Sequence, residues 1–204
     1  MRQWLRAVLD SLTPMAPAIV SYLGGLATAL LLEPLRAWLF APRLALTFEQ
    51  SSYFLTRTPE VAGDTQYEAL YLRVKVLNTR WVLAKSCRAY LVNIERRAES
   101  GGFQATEYCE SFQLGWASQG DAAFGALNLP KGVPHFVDVL STRSVSPTIK
   151  PQVVAVPMRY AALFAAPGEY RFTITVSGDG VRPSSMRLAV VWNGEWDKLA
   201  VKCA

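Results

Sequence analysis

Histidine is almost missing from this chain: His135 is the only one in 204 residues. A metal centre built on several imidazoles is thereby excluded, and a nucleophile–base pair has a single imidazole to draw on. No Gly-x-Ser-x-Gly turn is present to seat a nucleophilic serine. His135 follows Pro134 at the start of a predicted strand, where a surface or strand-edge role is expected. Cysteine is scarce as well. Cys87, Cys109 and Cys203 are odd in number and widely spaced, with no Cys-x-x-Cys pair. Neither a disulfide framework nor a zinc ribbon is encoded. Three free thiols are the expectation. A Cys87–Cys109 bridge between neighbouring strands stays open, and it needs an oxidising compartment.

Runs of one charge are also lacking. Arg96-Arg97 is the longest basic run, and the net charge of +5 is spread along the chain. It permits contact with anionic lipid or nucleic acid without arguing for either. Arg88, Arg96 and Arg97 with Tyr90 fit solvated strand ends, and no nucleic-acid-binding motif accompanies them. Gly24-Gly25 lies in a hydrophobic stretch and Gly101-Gly102 precedes a strand, so neither forms a phosphate-cradling loop. Glu107 and Glu110 fall on opposite faces of a predicted strand, which does not suit glycoside chemistry. These absences argue against an enzyme, and they point to no cofactor.

What is present is one long hydrophobic stretch. Asp10 and Glu33 are separated by 22 uncharged residues, Ser11 to Leu32. As a helix at about 1.5 Å per residue this reaches about 33 Å, close to the roughly 30 Å hydrocarbon core of a bilayer. Pro14 and Pro17 sit in its first turn, where a missing N–H costs little. Trp4 before it, and Trp38 and Phe40 after it, suit the interface. A single transmembrane helix with its exit is expected over 15–40. A short amphipathic segment over 1–14 carries Trp4, Leu5, Val8 and Leu9 on one side and suits the membrane surface. The rival reading is a cleaved signal peptide, with Arg2 and Arg6 as its basic region and Ala27-Thr28-Ala29 as the cleavage site. It leaves Leu30-Leu31-Leu32 at the mature start. A buried core helix fits less well, because all-β sequence follows.

Ser21, Gly25 and Ala29 recur every four residues, a spacing that lets two membrane helices approach closely and form a homo-oligomer. Gly and Ala are also simply common in membrane helices. Arg2 and Arg6 on one flank and Arg36 and Arg43 on the other give the positive-inside rule little asymmetry. The unpaired cysteines favour a cytoplasmic domain.

From Arg43 onward, period-two alternation replaces the helical period. In 70–76, Leu70, Leu72, Val74 and Val76 face one way and Tyr71, Arg73 and Lys75 the other, the antiparallel signature of one buried and one wet face. Tyr170, Phe172, Ile174 and Val176 repeat the pattern, as do Met186, Leu188, Val190 and Trp192. Further strands are expected at 44–49, 86–95, 103–114, 135–141 and 153–160, with one helical turn near 161–166. Ser177-Gly178-Asp179-Gly180 reads as a turn within a connection running to Ser184. A long loop is expected over 115–132. Trp192 and Trp196 flank a turn and are expected to cap the core. The sum is a two-sheet antiparallel sandwich over 41–204.

The segments 70–78 and 84–91 resemble a group of uncharacterised prokaryotic proteins. So do Phe136-Val137-Asp138-Val139, Gly168-Glu169-Tyr170-Arg171-Phe172 and Trp192-Asn193-Gly194-Glu195-Trp196. The resemblance spans most of 35–200. It implies one N-terminal transmembrane helix before an immunoglobulin-like sandwich, and no activity. Asn78-Thr79-Arg80-Trp81 departs from the group, because a glycine is expected in that turn. The functional expectation is a membrane-anchored module that meets the lipid bilayer and a protein partner, with the 115–132 loop and the 144–151 segment as its surfaces. The alternative is a partner- or ligand-responsive sensor that oligomerises through its helix.

Overall fold

The computed structural model describes Ser21, Tyr22, Gly25, Leu26, Thr28, Leu32, Leu35 and residues 39–108, 110–156, 158–164 and 166–204. Two compact units result, Met1–Ala41 and Pro42–Ala204. In the first, the described positions from Ser21 to Phe40 are helical and exposed. Among the described residues no helix is long and apolar enough to cross a membrane. The expected span 15–40 falls largely outside the described residues, and the amphipathic segment 1–14 wholly so.

The second unit is mainly β, as its alternation implies. The strands are β1 (Leu44–Thr47), β2 (Leu55–Ala62), β3 (Thr65–Asn78), β4 (Ala84–Arg97), β5 (Phe103–Ala105) and β6 (Phe112–Trp116). They continue with β7 (Leu127–Leu129), β8 (Pro134–Arg143), β9 (Ser146–Pro151), β10 (Gly168–Asp179), β11 (Val181–Trp192) and β12 (Leu199–Cys203). All these strands pair antiparallel, in one hydrogen-bonded path β1-β3-β8-β6-β4-β10-β11-β12. β2 pairs with β3, β9 with β8, and β5 and β7 with β4. Instead of two separate sheets there is one sheet that curls, because β6 pairs with both β4 and β8. The curl brings β1 against β11 and encloses one apolar core.

The alternating sets fall where expected. Leu72, Val74 and Val76 of β3 and Tyr170, Phe172, Ile174 and Val176 of β10 are fully buried. β4 cannot follow a simple alternation. Its buried residues are Ala84, then Cys87, Ala89 and Leu91, then Ile94. The parity changes twice, and each change coincides with a register irregularity. One lies between Ala84 and Cys87, where Ser86 has φ 51°. The other lies opposite Thr173 and Ile174 of β10. A bulge inserts one residue and re-aims those that follow.

Several expectations need correction. The strand expected over 103–114 is broken in two. Thr106 donates from both its N–H and its Oγ1 to the Ile94 carbonyl, at 3.1 and 2.6 Å, which pins the chain between β5 and β6. The strand expected over 153–160 is reduced to one bridge, Val153 to Leu114, before a 3-10 segment, Met158–Phe164. The connection between β10 and β11 is shorter than expected. Gly178 already pairs with Val181 across Asp179-Gly180, and Gly180 takes φ 65°, which a glycine adopts without steric cost. The 144–151 segment is a turn at 144–145 followed by the edge strand β9, and 115–132, expected as loop, holds the end of β6 and all of β7. Trp192 caps the core as expected, with its Nε1–H donating to the Glu195 carbonyl at 2.9 Å.

Gly178 lies against the first bulge of β4. A Cβ added there would stand 2.5 Å from the Lys85 carbonyl oxygen and 2.9 Å from Cys87 Sγ. Gly178→Ala is expected to destabilise the fold by about 1–3 kcal/mol through overpacking. Gly102→Ala, where a Cβ meets nothing within 4 Å, is expected to stay within about 0.5 kcal/mol. Urea unfolding of the full chain in detergent checks the contrast.

Candidate functional site

Two polar groupings stand out. The first joins β2, β3 and β8. Glu60 accepts hydrogen bonds from the hydroxyls of Tyr67, at 2.6 Å, and Tyr71, and it pairs with Arg143 at 2.9 Å. Burial works to raise the Glu60 carboxyl, but the two tyrosine hydrogen bonds and the charges of Arg143 and Lys150 outweigh it and hold it below the ordinary value. Beside it, Arg73 Nε donates to Asp138 Oδ1 at 2.7 Å. Asp138 is largely buried, and desolvation lifts its carboxyl despite the guanidinium. Both carboxylates are committed, so this grouping fastens the edge strand β2 to the sheet.

The second grouping is a cleft of about 230 Å³ where β6 meets β8. Trp116, at the end of β6, and His135 and Phe136, early in β8, line it together with Arg73, Ser118 and Gln119. The segment after β6 is folded back by local geometry. Ser118 takes φ 64°, a 3-10 turn covers Gly120–Ala122, and the Trp116 N–H donates to the Ala123 carbonyl at 2.7 Å. On the other side the Ala117 N–H donates to the Phe136 carbonyl at 2.8 Å. The indole of Trp116 stands edge-on to the imidazole of His135, with ring centres 6.4 Å apart.

Trp116 is 1% exposed, and its Nε1–H has no acceptor. His135 Nε2 is likewise buried and without a partner. A buried polar atom left unpaired costs on the order of 1–3 kcal/mol. Both residues line the cleft, while the two nitrogens themselves are closed to solvent. Burial lowers the His135 pKa below 6.5, so its ring is neutral at physiological pH. A larger hollow of about 390 Å³ beside Thr106, Glu107 and Tyr160 lacks this feature, since none of its lining side chains is among the described residues with an unpartnered buried polar atom.

The expected edge role of His135 is therefore corrected: it is half-buried and faces a cleft. Its position beside a proline masked this, because alternation alone does not reveal that Trp116 arrives opposite through β6. Ser118 shares the cleft, but no described hydrogen bond joins it to His135, and Asp138 is engaged by Arg73. Of the helix-contact residues, Ser21 and Gly25 are helical and exposed, with open space around a Cβ built on Gly25, while Ala29 lies outside the described residues. Cys87 is buried and forms no disulfide, Cys203 is exposed and free, and Cys109 lies outside the described residues. Among the described residues no group of three or more potential ligands that could hold a metal ion is present.

Comparison of the chain with protein-family models, curated proteins and solved structures finds no match.

His135 gives a clean pH signature because no other histidine titrates in this range. Its folded pKa lies below its unfolded value of 6.5. Above 6.5 both states are neutral and the residue contributes nothing. Below 6.5 the unfolded chain takes up the proton first, so stability falls with pH, by at most about 1.4 kcal/mol per unit, until the folded pKa is reached. Denaturant midpoints are expected to drop between pH 6.5 and 5 in the native chain and to be flatter in His135→Gln.

Proposed function

We propose that the protein is a membrane-anchored interaction module, in which the N-terminal hydrophobic helix fixes a β domain at the bilayer and the cleft of that domain receives part of a protein partner. The observation that carries this reading is the cleft itself, lined by Trp116 and His135, each of which holds a buried nitrogen without a partner among the described residues. A volume of about 230 Å³ lies below the roughly 300–1,000 Å³ of small-molecule sites. It suits a partner's side chain or chain turn. In this reading the protein is a binding protein rather than an enzyme and uses neither cofactor nor nucleic acid.

The anchor rests on the uncharged stretch Ser11–Leu32. Support for the immunoglobulin-like description comes from the curled sheet, whose β3-β8 and β4-β10-β11 portions contribute to one core. Kinship with the group of anchored prokaryotic sandwich proteins belongs to the same proposal. A second reading, a sensor that oligomerises through Ser21, Gly25 and Ala29, is favoured by the open surface at Gly25. The free thiols incline the domain towards the cytoplasmic side.

The test places a photo-cross-linking amino acid at Gln119 of the full chain in its native membrane. A discrete protein adduct, several-fold weaker in His135→Ala, is expected. An absence of protein adducts overturns the cleft, and release of the chain by alkaline carbonate overturns the anchor.

A further inference from the structure

The β domain exposes a compact apolar tip at the end where its chain begins. The turn after β3 carries Trp81, Val82 and Leu83, and Trp81 is 86% exposed. Val133, just before β8, is exposed as well. These segments are bound to one another. Asn78 Nδ2 donates to the carbonyls of Val82 and Leu129, at 2.8 and 2.9 Å, and the Gly132 N–H donates to the Asn78 carbonyl at 3.0 Å. Thr79 donates from its N–H and its hydroxyl to the Arg43 carbonyl, at 2.9 and 3.2 Å. Lys131 Nζ stands 3.2 Å from the centre of the Trp81 ring. Beneath, Ala84 and Leu129 are fully buried, so the tip sits on a packed base.

Within the segments that build this tip the charges have one sign. Arg43, Arg80 and Lys131 are exposed, and the segments 42–45, 79–84 and 130–134 contain no acidic residue. Asp179, on the neighbouring hairpin, lies opposite Lys85 in register. An indole with aliphatic neighbours inside a cationic rim matches the chemistry of an anionic bilayer interface: rings and methyls enter the headgroup region while the cations meet lipid phosphates. Covalent connection adds a second argument. Ten residues separate Arg43 from Leu32, the last residue of the hydrophobic stretch, a span of at most about 40 Å when fully extended.

We propose that Trp81, Val82, Leu83 and Val133, rimmed by Arg43, Arg80 and Lys131, form a bilayer-docking tip that seats the β domain on an anionic membrane surface. The proposal rests on the anchored reading above. Docking by this end fixes the domain's orientation, because β8 starts at the tip with Pro134 and runs away from it to Arg143, about 30 Å at strand rise. Val145, beyond that end, is directed away from the bilayer.

The test uses the full chain reconstituted into phosphatidylcholine vesicles with and without phosphatidylglycerol, with Cys109 and Cys203 changed to serine. A nitroxide is attached at Val82→Cys or, as the reference, Val145→Cys, and its collisions with oxygen and with a water-soluble nickel chelate are compared. The Val82 label is expected to favour oxygen several-fold more than the Val145 label. The preference is expected to grow with phosphatidylglycerol and to fall in Trp81→Ala and in the Arg80→Glu, Lys131→Glu double variant. Equal, water-like accessibility at both positions in chains that float with the vesicles overturns the docking tip and leaves the anchor standing. Chains that do not float overturn both. Shielding of the Val82 label from both reagents overturns lipid docking in favour of a protein contact.

Discussion

Asn78 is fully buried, and its side chain spends both ends on backbone groups. Its amide donates to two carbonyls, those of Val82 and Leu129, and its Oδ1 accepts from the Arg80 N–H at 3.0 Å. One residue thereby shapes the β3–β4 turn and ties it to the strand β7. Its own backbone carbonyl takes Gly132, and its strand position pairs with Leu44 at the start of β1. The exposed tip, the entry of the chain and the approach to the cleft all lean on this one amide. It also explains how the turn dispenses with a glycine: an asparagine that closes an Asx turn supplies locally what a left-handed residue supplies elsewhere.

The remainder of the architecture follows from how strand β4 shares its edges. β5, β6 and β7 are short and occupy successive stretches along it, while β10 runs the length of the other side. A strand with so many neighbours must change which residues face the core, and the two bulges accomplish that. Pairing of β6 onward to β8 then makes one continuous sheet that closes around Trp116, Trp192, Tyr170 and Phe172.

Strands with clean alternation, β3, β10 and β11, were legible from residue pattern alone, because a single wet face enforces a period of two. β2 and β9 were not, since Pro59, Pro147 and Pro151 read as strand breakers. Both are paired on one side only, where a missing N–H is tolerated. The cleft was illegible for a different reason. Its signal is not a motif but a deficit, two buried nitrogens without partners, and that deficit exists only once β6 and β8 are side by side. Glu60 shows the converse: an ordinary glutamate in sequence, it becomes the junction of two tyrosines and an arginine only through the β2–β3–β8 register.

Cys87 carries a wider consequence. Its sulfur is sealed beneath Gly178, and desolvation first, then the charge of Asp179, pushes the thiol up to about 11. Thiolate is the form that attacks disulfides and oxidants, so burial and the raised pKa together make this sulfur a poor nucleophile. Among the described cysteines it is the exposed Cys203, and not the core thiol, that meets whatever reagent the surroundings hold.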